Sequence, residues 1–323
     1  MKLRVIPEYE KVQKLYLCFV QDFYNSRFRY GKAITGMINA ALPFVDVEVF
    51  VDKEDMKYLE KELKEAGISL YDIIINFNSP KRSIINEWAP IFCIDETGQA
   101  VGLTFNWLSG HADHEELSYC EKFSSSWVKE LGLREEHLNF DLSTAAVTAS
   151  GNEVLAVEKY FENDAERLDA FKQMISQNII TMPLLKDEPT TDLDAYLLAI
   201  KPGVWIISEY PEHAEQAATI SIAMKILKDL GHTVHTVHGL DRIKYNDINT
   251  FPNYTNCVIL NKAVLVPSYL RKEDEVIKGI LSDYGFEVFP INSRDIILSN
   301  SGPHCISKTI PEIIFATLLI NRS

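Results

Sequence analysis

The sequence is poor in what would tie it to a membrane, a nucleic acid or an oxidising compartment. No stretch approaches the ~18 uninterrupted apolar residues of a membrane span. Cationic side chains are outnumbered, 32 Lys and Arg against 46 Asp and Glu, for a net charge of −14. Nucleic-acid partners need basic stripes, so none is expected. An acidic chain suits a cationic ligand, although acidity serves solubility equally well. The five cysteines (Cys18, Cys93, Cys120, Cys257 and Cys305) form no CxxC pair and no zinc spacing. Met1 to Leu17 is interrupted by Glu8, Glu10, Lys11 and Lys14 and lacks the apolar centre of a secretory signal. Free thiols in a cytoplasmic setting are therefore the expectation, with no cofactor and no metal implied. Low-complexity and Gly/Ser-rich linkers are also missing. The nearest thing to a break, Asp187 to Asp194, reads as a loop, so the 323 residues, 1–323, are expected to form a single domain.

What is present is a repeated unit. Two apolar runs flank a short turn, a helix pattern follows, and one more β-rich run closes the unit. Ala146 to Val157 turns at Ser150-Gly151-Asn152, and Leu168, Phe171 and Ile175 mark a helix before Ile179-Ile180-Thr181-Met182. Tyr196 to Ile207 turns at Lys201-Pro202-Gly203; Ile220, Ala223, Met224, Leu227 and Leu230 follow, then Gly231 and Thr233 to Val237. Cys257 to Val266 turns at Asn261-Lys262; Ile277, Ile280, Leu281 and Tyr284 follow, then Gly285 and Glu287 to Pro290. The i, i+3, i+4, i+7 spacing gives each helix one buried face, and the glycine supplies a left-handed stop. Two weaker copies come earlier. One runs from Ile91 to Trp107 with a turn at Asp95-Glu96-Thr97-Gly98. The other comprises Leu15 to Phe19, a helix near Lys32 to Ala41, and Val45 to Val51. Units of this kind stack radially or linearly around a shared core.

The most specific signal lies in the last unit. Tyr254-Thr255-Asn256, Asn261 and Val264-Leu265-Val266-Pro267 precede a helix, and Ser301-Gly302-Pro303-His304-Cys305 closes the run before Ile310-Pro311. Pro7-Glu8-Tyr9 opens the chain, and Asn86-Glu87-Trp88-Ala89-Pro90 precedes an apolar run. Together these segments resemble the agmatine deiminases and bacterial peptidyl-arginine deiminases along most of the chain. The resemblance implies an α/β fold of the pentein type, five strand-strand-helix-strand units around a central channel. It implies an enzyme, either a deiminase-like C–N hydrolase or an amidinotransferase. Its substrate would be a small cationic guanidine or an arginine-containing molecule. In such an enzyme a cysteine thiolate attacks the guanidinium carbon and water cleaves the covalent thiouronium. Carboxylates grip the guanidinium, and a histidine moves protons.

Carried over position by position, the match is uneven. Cys305 falls on the nucleophile, and Asp194 on the aspartate of the family's Gly-His-x-Asp. Asp192 stands where that motif has histidine. Glu87 replaces the aspartate of Arg-Asp, Asn86 replaces its arginine, and Ser143-Thr144-Ala145-Ala146 stands in place of Glu/Asp-Gly-Gly-Asn. Cys305, Asp194 and Asp192 are thus the candidate catalytic residues, with Glu87, Trp88 and His304 expected at the substrate. The altered positions keep open an alternative, a catalytically inactive pentein that binds a cationic ligand or a partner protein.

Each residue also has a plainer reading. A lone cysteine is usually a small buried hydrophobe, which is how the other four are read. Asp192 and Asp194 either cap a loop at a strand entry or share a proton from one side of an extended segment. Glu87 is either solvated or grips a cation. Gly110-His111-Ala112-Asp113 spells Gly-His-x-Asp out of the family's order. It is a chance match, a loop that returns a histidine to the site, or a weak metal cluster with His114, Glu115 and Glu116. The run Phe23 to Tyr30 suggests base stacking, but two arginines in so acidic a chain point rather to a pocket wall or a subunit contact.

Overall fold

The computed structural model describes residues 2–20, 30–80, 82–107, 114–162, 164–188, 190–245 and 248–320. The strands β1 (Leu3–Val5) and β2 (Val12–Phe19) open the chain, followed by α1 (Tyr30–Ala41), β3 (Asp46–Val51), α2 (Met56–Ala66), β4 (Ile74–Asn76) and the short α3 (Ile85–Trp88). Then come β5 (Ile91–Asp95), β6 (Ala100–Trp107), α4 (His114–Glu130) and β7 (Arg134–Leu142), and next β8 (Val147–Ser150), β9 (Glu153–Val157), α5 (Ala165–Met174) and β10 (Asn178–Met182). The fourth unit is β11 (Leu197–Lys201), β12 (Val204–Glu209), α6 (Ala214–Asp229) and β13 (Thr233–His238). A small hairpin, β14 (Ile243–Tyr245) and β15 (Ile248–Thr250), separates it from β16 (Val258–Leu260), β17 (Ala263–Ser268), α7 (Lys272–Asp283) and β18 (Glu287–Asn292). The chain finishes with β19 (Ser307–Pro311) and α8 (Glu312–Ile320).

Among the described residues the sheets are β19-β2-β3-β4, β1-β5-β6-β7, β10-β9-β8, β11-β12-β13 and β16-β17-β18, with β14-β15 apart. Each of the five begins with an antiparallel pair and adds a parallel strand after a helix, as in β11-β12 antiparallel and β12-β13 parallel. This is the expected five-unit α/β-propeller. The first unit is closed by the last strand: β19 runs antiparallel to β2, with Ser307 opposite Leu17 and Thr309 opposite Leu15. Strand β2 therefore has neighbours on both edges, and its residues from Leu15 to Phe19 are all buried, as expected for a strand covered on both faces.

Local chemistry explains the turns. Asp95 Oδ1 accepts from Thr97 N at 2.8 Å and Gln99 N at 3.0 Å, which closes the β5–β6 hairpin. After α7, Gly285 takes φ +86°, and Phe286 N donates back to Leu281 O at 3.2 Å, the helix stop read from the sequence. Asn261 adopts φ +60° in the β16–β17 turn. Its side chain does what glycine's cannot: Oδ1 accepts from Val12 N and Nδ2 donates to Val12 O, both at 2.9 Å, tying the fifth unit to the start of β2. No helix among the described residues is long and apolar enough to cross a membrane.

Leu193–Ala195 is a 3-10 turn, so Asp192 and Asp194 do not share one side of an extended strand. Residues 23–29 and 108–113, which hold most of the aromatic run together with His111 and Asp113, lie outside the described residues. His114 opens α4, and no described group of three or more His, Cys, Asp or Glu is arranged to hold a metal.

Candidate active site

The loop Ser301-Gly302-Pro303-His304-Cys305 leads into β19 and is held by Asn256. The Asn256 amide oxygen accepts from His304 N at 2.9 Å and from Cys305 N at 3.4 Å, while its nitrogen donates to Cys305 Sγ at 3.1 Å. Asn256 is itself fixed by Asn253 Oδ1, which accepts from its backbone N–H at 2.9 Å. So close an approach requires Gly302: a Cβ there would lie 2.3 Å from Asn256 Oδ1. On the other side, α3 presents Asn86 N to Cys305 O at 3.1 Å.

Asp194 enters from the 3-10 turn. Its Oδ2 lies 3.8 Å from Cys305 Sγ and 2.7 Å from His304 Nδ1. The other ring nitrogen of His304 meets Glu8 Oε2 at 2.7 Å. Asn86 Nδ2 lies 3.1 Å from His304 Nδ1, and Lys308 Nζ donates to Asn86 Oδ1 at 3.0 Å. Burial alone would lower the His304 pKa; the charge of Glu8, then the hydrogen bonds to Asp194 and Glu8, raise it to about 10. Glu8 responds in kind: burial works against its charge, but His304 and Lys308 draw it down to about 2.

Burial and mutual repulsion raise other carboxyl groups nearby. Burial, then the charges of Asp194 and Glu188, push Glu87 up to about 8 against the pull of Arg82. Asp192 is raised well above the carboxylate range, by burial first and then by Glu87, Asp194 and Glu188. Its Oδ1 accepts from Ser143 Oγ at 2.9 Å, while Oδ2 is buried with no hydrogen-bond partner among the described residues. Asp192 and Ser143 therefore face each other. Cys305 is raised well above the ordinary thiol value by burial and then by Asp194 and Asp192, so it rests as a thiol. Its four fellow cysteines are free and buried.

Cys305 lines a narrow cleft with Asp194, Glu188, Asn256, Asn300 and Tyr269. A larger open groove lies against α6 and is lined by Tyr210, Ser221, Met224 and Lys225, without a cysteine. The structure thus gathers Cys305, Asp194, His304, Asp192 and Glu87 into one neighbourhood. Trp88, expected at the substrate, is instead packed in the core, 1% exposed and edge-on to Phe123 at 5.5 Å. His304 contacts Asp194 and Glu8 and is absent from the cleft's lining. Sequence reasoning assigned no role to Glu8, Asn256, Lys308 or Glu188. Glu8 and Asn256 stood inside the recognised Pro7-Glu8-Tyr9 and Tyr254-Thr255-Asn256 segments. Glu188, which accepts from Thr191 N at 2.7 Å and Asn300 Nδ2 at 3.0 Å, was hidden in a loop.

Comparison with known proteins bears on the family and the fold. The profile of the Porphyromonas-type peptidyl-arginine deiminases matches residues 4–311. A relative from Marinomonas sp. (strain MWYL1), whose name places it among agmatine deiminases, is 24% identical over 155 residues. That stretch covers 40% of this chain and 42% of the relative, less than half of each. Agmatine deiminase from C. jejuni superposes with a TM-score of 0.80 at 16% identity, covering 96% of this chain and 97% of that one. The Enterococcus faecalis agmatine deiminase gives 0.76 at 15% identity, with 96% of each chain covered. These likenesses establish the pentein fold.

Proposed function

We propose, from the premise that the chain belongs to the Porphyromonas-type peptidyl-arginine deiminase family, that it is a cysteine-dependent enzyme acting on guanidines or amidines. The substrate is a small cationic guanidine or an arginine-containing molecule. What supports this most is one juxtaposition: a thiol in a cleft, 3.8 Å from a carboxylate oxygen, beside three further buried carboxyl groups. A bound guanidinium supplies the positive charge that Cys305 lacks and lowers its thiol pKa. The thiolate then adds to the guanidinium carbon, the C–N bond breaks, and ammonia or an amine leaves with a proton. Water adds to the resulting thiouronium, the C–S bond breaks, and the ureido product departs from the restored thiol. An amine in place of water would make the reaction an amidinotransfer. Asp192, held well above the ordinary carboxylate range, is suited to give the first proton, and its carboxylate to take one from water. Asp194 and Glu87 hold the cation.

A second reading is favoured by the same two replacements, Asp192 and Ser143: a pentein that binds a cationic ligand without turning it over. Labelling with 2-chloroacetamidine separates these readings. The cationic warhead should modify Cys305 faster than any of the other four thiols. Agmatine or arginine should be hydrolysed at least ~100-fold more slowly than by a site with an imidazole acid–base, whose contribution is typically about 10²–10⁴. Unselective labelling would remove Cys305 from the mechanism. Selective binding with no turnover of any guanidine would favour the second reading.

A further inference from the structure

Asp194 meets both Cys305 and His304 through a single atom, Oδ2. Behind His304 stands Glu8, on the segment between β1 and β2, which does not line the cysteine's cleft. It lines a separate narrow cavity, with Lys308, Thr144, Ile91 and Phe92. The groups facing the His304 ring come from three elements: Asp194 from the 3-10 turn, Glu8 from the N-terminal segment, and Asn86 from α3. Lys308 of β19 acts through them, donating to Asn86 Oδ1 at 3.0 Å and lying 4.0 Å from Glu8 Oε1.

We propose that Glu8 is a positioning residue for the nucleophile: it holds His304 as the charged partner of Asp194 and so sets the reactivity of Cys305 from the opposite side of the ring. This rests on the reading of Cys305 as the nucleophile and adds a second point of control, reached through a different cavity. The physical argument is electrostatic. Asp194 in its charged form opposes a thiolate 3.8 Å away. An imidazolium on the same oxygen offsets that charge. Burial works against the imidazolium, and Glu8 supplies the largest opposing influence. Without the Glu8 charge, His304 loses its proton at lower pH and leaves Asp194 uncompensated beside the sulfur.

The test uses the full chain and needs no guanidine substrate. Imidazole NMR, assigned with His304→Gln, follows His304. The rate of alkylation by neutral iodoacetamide between pH 6 and 9 follows Cys305. In wild type His304 should remain charged across this range. In Glu8→Gln its titration should fall by about two pH units or more, and Cys305 alkylation at pH 8 should drop about fivefold. Glu8→Asp should stay within about twofold of wild type, because it restores the charge. The proposal is overturned if Glu8→Gln leaves His304 charged at pH 9, or if His304 titrates earlier while the Cys305 profile does not move. Should Glu8→Gln fail to fold, wild type alone decides, with both measurements extended to about pH 11: the alkylation profile must show a transition that coincides with that of His304 near pH 10, and its absence overturns the coupling. Failure of chloroacetamidine labelling would sink the proposed function while leaving the iodoacetamide and NMR readings interpretable.

Discussion

Four carboxyl groups, Glu87, Glu188, Asp192 and Asp194, share one buried neighbourhood, and burial and mutual repulsion raise Glu87 and Asp192 there. Glu188 is also raised, by burial against the donors from Asn300 and Thr190. A cation changes the balance, because it favours the carboxylate form. Below the Glu87 value of about 8, binding a guanidinium must therefore expel a proton. Affinity for agmatine, measured by calorimetry on Cys305→Ser to prevent turnover, should rise about tenfold per pH unit below that point. It should level off above it. Glu87→Gln should flatten the slope by about one proton. A pH-independent affinity in Cys305→Ser would mean that these carboxyl groups do not meet the ligand. The same shift bears on stability. A carboxyl that keeps its proton to about 8 when folded, but ionises near 4.5 when unfolded, makes the fold less stable as pH rises between those values. His304 acts in the same direction: its contribution is complete below 6.5 and is lost as pH climbs to about 10.

At the scale of elements, the loop entering β19 is shaped by one side chain, Asn256, which engages two backbone N–H groups and the sulfur at once. The neighbouring Gly302 is needed for space, since its φ is not positive and the obstacle is the Asn256 amide. Gly302→Ala should push the loop away, costing about 1–3 kcal/mol of stability as an overpacking change. Chloroacetamidine labelling of Cys305 should fall about tenfold or more, since misplacement by an ångström costs rate steeply. Wild-type labelling in Gly302→Ala would show that the Asn256 contact does not place the sulfur. The 3-10 turn at Leu193–Ala195 matters for a similar reason. It separates the roles of Asp192, turned to Ser143, and Asp194, turned to His304, which an extended strand would have merged.

For the whole molecule, the pairing of β19 with β2 joins the two ends of the chain, and Asn261 fastens the fifth unit to the same strand. We propose on this basis that residues 1–323 form a single domain. Ile310 is fully buried in β19, within the core that also holds Trp88, Trp107, Trp127 and Trp205. Ile310→Ala should lower unfolding stability by about 2–5 kcal/mol through the cavity it leaves. Tryptophan fluorescence and far-UV circular dichroism should then still report one coincident transition, as in wild type. Two separated transitions would divide the chain into domains.

The sequence by itself determined what depends on neighbours a few residues apart. The turns at Asp95 to Gly98, Ser150 to Asn152, Lys201 to Gly203 and Asn261-Lys262 all lie between paired strands, because turn chemistry and apolar runs are local. The helix stops at Gly231 and Gly285 were legible for the same reason. The neighbourhood of Cys305 was legible only through the resemblance of short motifs. That resemblance named positions without saying how their side chains meet. Only the tertiary structure decided that Trp88 belongs to the core, that Ser143 answers Asp192, and that His304 is clasped by Asp194 and Glu8. Glu8 and His304 lie 296 positions apart, and Lys308 and Asn86 lie 222 apart. Local periodicity carries no information over such separations. They are brought together by closure of the five units around one axis, and the charge states of the buried groups exist only once that closure has removed water from them.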